Sequence, residues 1–173
     1  MKFFSGFSLK NESYLFDKYI KDNAYSVCGF SYGAIKAFEY TKKQLEFGNR
    51  IDTLQLFSPA FFQTKEAKFK RLQLLSYKKN ETLYLQNFIK SCFSPYDNKI
   101  IEHKNTTYNE LEELLGYSWD ISQLKELESR GVIVEVYLAQ DDAIIDVDAA
   151  REFFLEVSTV TYIKNANHFL QIN

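Results

Sequence analysis

The pentapeptide Gly29-Phe30-Ser31-Tyr32-Gly33 constrains this chain more than any other feature. It lies between an apolar run, Ala24–Phe30, that reads as a buried strand and a stretch, Ser31–Phe47, that reads as a helix with Ile35, Phe38 and Leu45 on one face. In that context G-x-S-x-G places its serine on a sharp strand-to-helix turn, with the hydroxyl projecting above the sheet. The residues two before and two after the serine crowd together at such a turn, so both must be small. The start of the following helix adds amide donors and positive potential behind the serine. At this chain's glycine and serine content, about one or two sequences in a hundred would carry the pentapeptide by chance. Requiring a strand before it and a helix after it makes chance rarer still. Ser31 is therefore the candidate nucleophile.

A serine hydroxyl needs a neighbouring base, and the chain has 2 histidines. His103 sits among Glu102, Lys104 and Asn105 and reads as a solvated residue. His168 follows the last predicted strand, at the sheet edge where ligands meet an α/β fold, and is the candidate base. The acid that orients the imidazole is sought after the Val132–Ala139 strand, in Gln140-Asp141-Asp142-Ala143-Ile144. Asp142 lies deeper in that loop and precedes two apolar residues that can anchor it, so it is preferred to Asp141. Asp146 and Asp148 read as helix-start residues. Oxyanion donors are expected at the backbone N–H groups of Tyr32, next to the nucleophile, and of Phe7, in the Phe4-Ser5-Gly6-Phe7 loop after the first strand. Gly6 permits close backbone approach there.

Strands are predicted at Lys2–Phe4, Ala24–Phe30, Ile51–Ser58, Val132–Ala139 and Thr159–Lys164, with helices at Asn11–Lys21, Ser31–Phe47 and Asp146–Val157. Gly48 and Gly131 close helical patterns. Strand and helix alternate, which points to a parallel α/β sheet. Between Pro59 and Arg130 the pattern changes to helices at Lys65–Lys79, Glu81–Phe93, Thr107–Leu115 and Asp120–Arg130, with no strand evident. The expected organisation is a core from residues 1–58 and 131–173, interrupted by a helical lid over 59–130.

Composition excludes several classes. The net charge is −2, which argues against general nucleic-acid binding. No apolar run reaches the length of a membrane span, and the N-terminus lacks the apolar stretch of a signal peptide. Cys28 and Cys92 make neither a disulfide framework nor a zinc site. A reduced, cytoplasmic protein with no metal is expected.

These residues, in the chain order Ser31, Asp142, His168, resemble the α/β-hydrolases. The chain resembles more closely the short BioV-type pimeloyl-acyl-carrier-protein methyl ester esterases. The resemblance is carried by Phe3–Phe7, Asn11-Glu12-Ser13, Gly29–Ala37, Leu56–Pro59, Phe69–Leu74 and Asn167–Gln171. The pentapeptide is shared across the superfamily, whereas Phe69-Lys70-Arg71-Leu72-Gln73-Leu74 is the more specific segment. The resemblance implies a reduced α/β-hydrolase fold of about five mostly parallel strands with a helical lid. It also implies a cofactor-free serine esterase that releases methanol from the methyl ester of pimeloyl-acyl carrier protein in biotin synthesis. The triad carries over to Ser31, Asp142 and His168. Larger esterases of this pathway have a His-Gly-Trp oxyanion segment where this chain has Ser5-Gly6-Phe7, a change that a backbone donor tolerates. A thioesterase or generic short-chain esterase is the alternative, and a catalytically dead scaffold used as a binding module is a third reading.

Two further expectations concern surfaces. With sequential strands and right-handed crossovers, the connecting helices share one face of the sheet. The other face, with Thr53, Gln55, Glu135, Thr159 and Thr161 beside Phe57, Tyr137 and Ile163, is then thinly covered and is a candidate homodimer surface. In the lid, Phe61, Phe62, Leu72, Leu75, Leu83, Phe88 and Tyr117 are candidates for an acyl slot. The cluster Lys65, Lys68, Lys70, Arg71, Lys78 and Lys79 is either a solvated helix face or a dock for the acidic carrier protein, with Lys65, Lys68, Lys70 and Arg71 as the docking residues.

Overall fold

The computed structural model describes residues 1–172. Five parallel strands, β1 (Lys2–Phe4), β3 (Ser26–Phe30), β4 (Thr53–Phe57), β6 (Ile133–Ala139) and β7 (Thr159–Ile163), form one sheet in the order β1-β3-β4-β6-β7. Space thus follows sequence, as expected. Helices α1 (Tyr32–Glu46), α5 (Ile121–Ser129) and α6 (Val147–Leu155) cover one face of this sheet. Their Phe38, Leu124 and Phe154 pack with Val27, Leu56, Val136 and Leu138 from the strands. Gly48 and Gly131 follow α1 and α5 at φ 75° and 86°, the left-handed geometry in which glycine carries no steric penalty.

The segment after β1 departs from the sequence reading. In place of a helix over Asn11–Lys21 there is one short 3-10 helix, Glu12–Phe16, and Asn11 adopts φ 63° without capping it. The Asn11 side chain instead donates to Glu102 Oε1 at 2.6 Å. The chain then runs beneath the sheet. Phe16 stacks on Phe57 at 4.9 Å and meets Phe30 at the same distance. Gln55, in the middle of that face, accepts from the Lys21 amide at 2.8 Å and donates to the Tyr19 carbonyl at 2.9 Å. Ser26, Cys28, Thr53, Gln55 and Phe57 are therefore buried. The face expected to lie open is closed over β3 and β4, because the β1–β3 connection crosses under the sheet instead of lying beside α1. Its β7 side, with Thr159 and Thr161, and Ile133 at the start of β6 are exposed.

The 59–130 region also divides differently. Helices α2 (Ala67–Lys79), α3 (Glu81–Phe93) and α4 (Tyr108–Gly116) lie above the strand ends. Helix α5 packs on β6 and flanks α1, where Lys42 Nζ meets Gln123 Oε1 at 2.7 Å and Arg130 donates to the Leu45 carbonyl at 2.6 Å. It is the crossover helix of the core, not part of the cap. The region does contain a strand. β5 (Glu102–His103) pairs antiparallel with β2 (Leu9–Lys10) and ties the cap to the loop after β1. Two residues per strand are too short to show periodicity. The inner end of α3 is anchored by Phe93, which packs on Phe169 at 4.4 Å, and by Asn167, which donates to the Phe93 carbonyl at 2.8 Å.

Candidate active site

Ser31 joins β3 to α1 with φ 53° and ψ −115°, a strained conformation for a residue with a side chain. Three backbone contacts hold it there. Its N–H donates to the Phe57 carbonyl at 2.9 Å, and its carbonyl accepts from Ala34 at 3.0 Å and Ala60 at 3.2 Å. A Cβ at Gly29 would lie 2.2 Å from the Gly33 carbonyl oxygen, which is the crowding that demands glycine on both sides.

The structure brings together three residues distant in sequence. His168 Nε2 is 3.0 Å from Ser31 Oγ, and His168 Nδ1 is 2.6 Å from Asp142 Oδ2. Ser31, Asp142 and His168 are all buried. The other Asp142 oxygen accepts the N–H groups of Ile144 at 2.8 Å and Ile145 at 3.3 Å, which aims the carboxylate at the imidazole. Asp141 is exposed, and its amide is held by the Ala166 carbonyl at 2.8 Å. The ring of His168 packs against Phe30 at 4.9 Å. With Nδ1 protonated and donating to Asp142, Nε2 is free to accept the serine proton; a carboxylate so placed stabilises the imidazolium. This arrangement is capable of nucleophilic acyl transfer.

Phe7 lies in the loop after β1, its ring edge-on to Tyr32 at 6.2 Å. Both residues are buried. The Tyr32 hydroxyl donates to Glu113 Oε2 of α4 at 2.6 Å, linking the first turn of α1 to the cap. Burial and the Glu113 carboxylate both push the Tyr32 phenol up, so it stays protonated. Among the described residues there is no group of three or more His, Cys, Asp or Glu arranged to hold a metal.

A cavity of about 680 Å³ lies between the cap helices and the loop that carries Asp142. Of the seven residues expected to wall an acyl slot, Phe62, Leu83 and Phe88 line it. Phe61 is instead in the core against Phe154, Tyr117 packs on Trp119, and Leu72 and Leu75 are exposed. Phe69, Leu111 and Ile144 also line it, and Phe88 meets the ring of Phe7 at 6.1 Å. Leu111 and Ile144 were not expected in the slot, because Leu111 reads locally as an ordinary apolar helix residue and Ile144 as an anchor for Asp142. Lys65 and Lys79 sit at the rim, and no carboxylate is among the lining residues. Lys68 and Arg71 are exposed on α2, and Lys70 is half-buried. His103 is exposed in β5.

No family model and no curated protein matches the chain. Solved structures do. Est816, described as an N-acyl homoserine lactone degrading enzyme, aligns over 98% of this chain and 86% of its own at 9% identity, with a TM-score of 0.65. A bromoperoxidase from Bacillus anthracis aligns over 84% and 60% at 14% identity, TM-score 0.62. The carboxylesterase CesB of Bacillus subtilis aligns over 90% and 57% at 16% identity, TM-score 0.56. The chain spans 54% and 62% of the length of two further Bacillus subtilis hydrolase structures it matches. No helix among the described residues is long and apolar enough to cross a membrane. A sequential five-stranded parallel sheet, with a serine at the β3–α1 turn and a helical cap, makes this a reduced α/β-hydrolase fold.

Proposed function

We propose that the chain is a serine carboxylesterase whose substrate is the methyl ester of pimeloyl-acyl carrier protein. The observation that carries the esterase reading is the hydrogen-bonded line Ser31–His168–Asp142. The resemblance of Phe3–Phe7, Gly29–Ala37 and Phe69–Leu74 to the methyl ester esterases supports the choice of substrate. His168 Nε2 takes the proton of Ser31 as Oγ attacks the ester carbonyl, and the Phe7 and Tyr32 amides receive the oxyanion. Collapse of the tetrahedral intermediate breaks the bond to the methoxy oxygen, which leaves as methanol with the proton from His168. Water, deprotonated by His168, then hydrolyses the acyl-serine. The free acid leaves and Ser31 recovers its proton.

The cap supplies a place for an acyl chain and for its carrier. The cavity wall is mostly apolar and its charged lining residues are lysines. On the solvent side of α2, Lys68, Leu72, Leu75 and Lys79 recur at one-face spacing with Arg71 beside them, all exposed. Cations flanking apolar side chains complement the acidic surface of an acyl carrier protein and would steer its approach.

The test is incubation of the protein, and of its Ser31→Ala variant, with methyl-pimeloyl-acyl carrier protein, followed by intact mass of the carrier. The expected result is loss of the mass of one methylene with the unaltered protein only. Loss of the whole acyl group would identify a thioesterase. An unchanged mass with a folded protein would overturn the substrate assignment and leave a generic esterase or a binding scaffold.

A further inference from the structure

Apart from Asp142, Glu12 is the buried carboxyl of this chain among the described residues, and the mechanism above does not use it. It opens the 3-10 helix after β2 and is fully buried. Its Oε1 accepts the N–H of Gly6 at 2.7 Å. Its Oε2 is buried with no hydrogen-bond partner. Keeping a carboxyl in such a place costs free energy that a leucine of similar volume would avoid. Burial pushes the Glu12 carboxyl up, against the opposing pull of the Gly6 amide, its own amide and the Ser5 side chain.

The bond falls on the loop where direction matters most. Gly6 is pressed against Phe30: a Cβ there would lie 2.9 Å from Phe30 Cδ1. A residue without Cβ fits, but glycine is also the residue whose backbone is least restrained. Two contacts remove that freedom. Glu12 holds the Gly6 N–H, and the Leu9 N–H donates to the Gly6 carbonyl at 3.2 Å. The Gly6 carbonyl and the Phe7 N–H are opposite ends of one planar trans peptide. Fixing the carbonyl toward Leu9 therefore fixes the Phe7 N–H in the opposite direction.

We propose that Glu12 is a positioning residue, whose carboxyl clamps the Gly6 amide so that the Phe7 N–H stays aimed for an oxyanion at Ser31. This rests on the esterase reading, in which Phe7 is an oxyanion donor. Glu12 does not touch the substrate and moves no proton; it acts through Gly6.

The test compares the unaltered protein with Glu12→Gln and Glu12→Leu, using p-nitrophenyl butyrate as probe and Trp119 fluorescence to follow folding. Glutamine keeps a carbonyl acceptor for Gly6, whereas leucine keeps volume and removes it. Removing one oxyanion donor outright slows turnover by about 10²–10³-fold. A misaimed donor should cost less, so Glu12→Leu is expected to lower kcat by about 10–100-fold with KM changed by less than about threefold. Glu12→Gln should recover kcat to within about threefold of the unaltered protein. Amide exchange at Gly6, read on the resting protein, should be protected in the unaltered and Gln proteins and fast in the Leu protein. If leucine disturbs folding, Glu12→Met, which follows the same path without an acceptor, takes its place. A folded Leu or Met variant with unaltered kcat, or equal loss in the Gln and Leu variants, would overturn the clamp alone. Absence of any Ser31-dependent turnover by the unaltered protein would overturn the esterase reading and the clamp's catalytic purpose with it.

Discussion

A Cβ on Gly33 would lie 2.0 Å from the carbonyl oxygen of Phe4, so the first turn of α1 rests directly on the loop that follows β1. The Ser5 carbonyl is 2.6 Å from the same point. The turn that carries Ser31 and the proposed oxyanion loop are thus one packed unit, and neither can shift without the other. Both contacts are to backbone, which has no rotamer with which to yield.

Replacing Gly33 by alanine should therefore displace the loop as well as strain the helix start. Overpacking of this kind costs about 1–3 kcal/mol or more. The expected outcome is a clearly lowered melting temperature, together with ester hydrolysis reduced by at least about 100-fold through the lost donor. An alanine variant that melts and turns over like the unaltered protein would contradict the packing described.

The carboxylate that orients His168 is Asp142, while its neighbour Asp141 is exposed. Asp142→Asn presents an amide that favours the wrong imidazole tautomer, and an expected loss of about 10³–10⁴-fold in kcat follows. Asp141→Asn should change kcat by less than about threefold, within the usual reach of a surface substitution. Steady-state rates on a small ester separate the two. Equal effects would mean that the loop after β6 rearranges in solution.

Reversing charge on α2 tests the proposed carrier dock. The double change Lys70→Glu, Arg71→Glu should lower kcat/KM on the carrier-bound ester much more than on a small soluble ester, and the difference should shrink as salt is raised. Parallel losses on both substrates would locate the effect in the folding of the cap instead.

Both thiols are buried and free. Burial pushes the Cys28 thiol up to about 12, and desolvation raises Cys92 well above its ordinary value. For a thiol, a raised value keeps the neutral form through the working range. At pH 8 only about one Cys28 in 10⁴ is thiolate, and the thiolate is the reactive species. Iodoacetamide at pH 8 should leave the native mass unchanged, and urea should admit two alkyl groups. Alkylation of the native protein at Cys28 would show that the face below the sheet opens.

The local pattern of residues was enough to read the strand–turn–helix around Ser31, the sequential parallel sheet and the helical character of 59–130. These depend on periodicity, glycine placement and turn chemistry, which act within about ten residues. The choice between Asp141 and Asp142 was weakly legible, through the apolar pair that follows. Three features were not. The Asn11–Lys21 segment has helical spacing, yet Leu15, Phe16, Tyr19 and Ile20 are used to cover the underside of the sheet, and a regular helix did not form. Helix α5 has the same amphipathic pattern as the cap helices and differs only in what it packs against. Glu12 reads as an ordinary charged residue until the fold buries it against Gly6.

The sequence by itself determined which residues are the candidates for the chemistry and in what order the strands stack, since both follow from steric demands local to each turn. Tertiary structure alone decided which helices cap and which support, how the underside of the sheet is closed, and that one carboxyl faces His168 while another holds the loop beside Ser31. Those outcomes depend on contacts between segments up to 137 residues apart, whose energies arise only when the chain has closed around them.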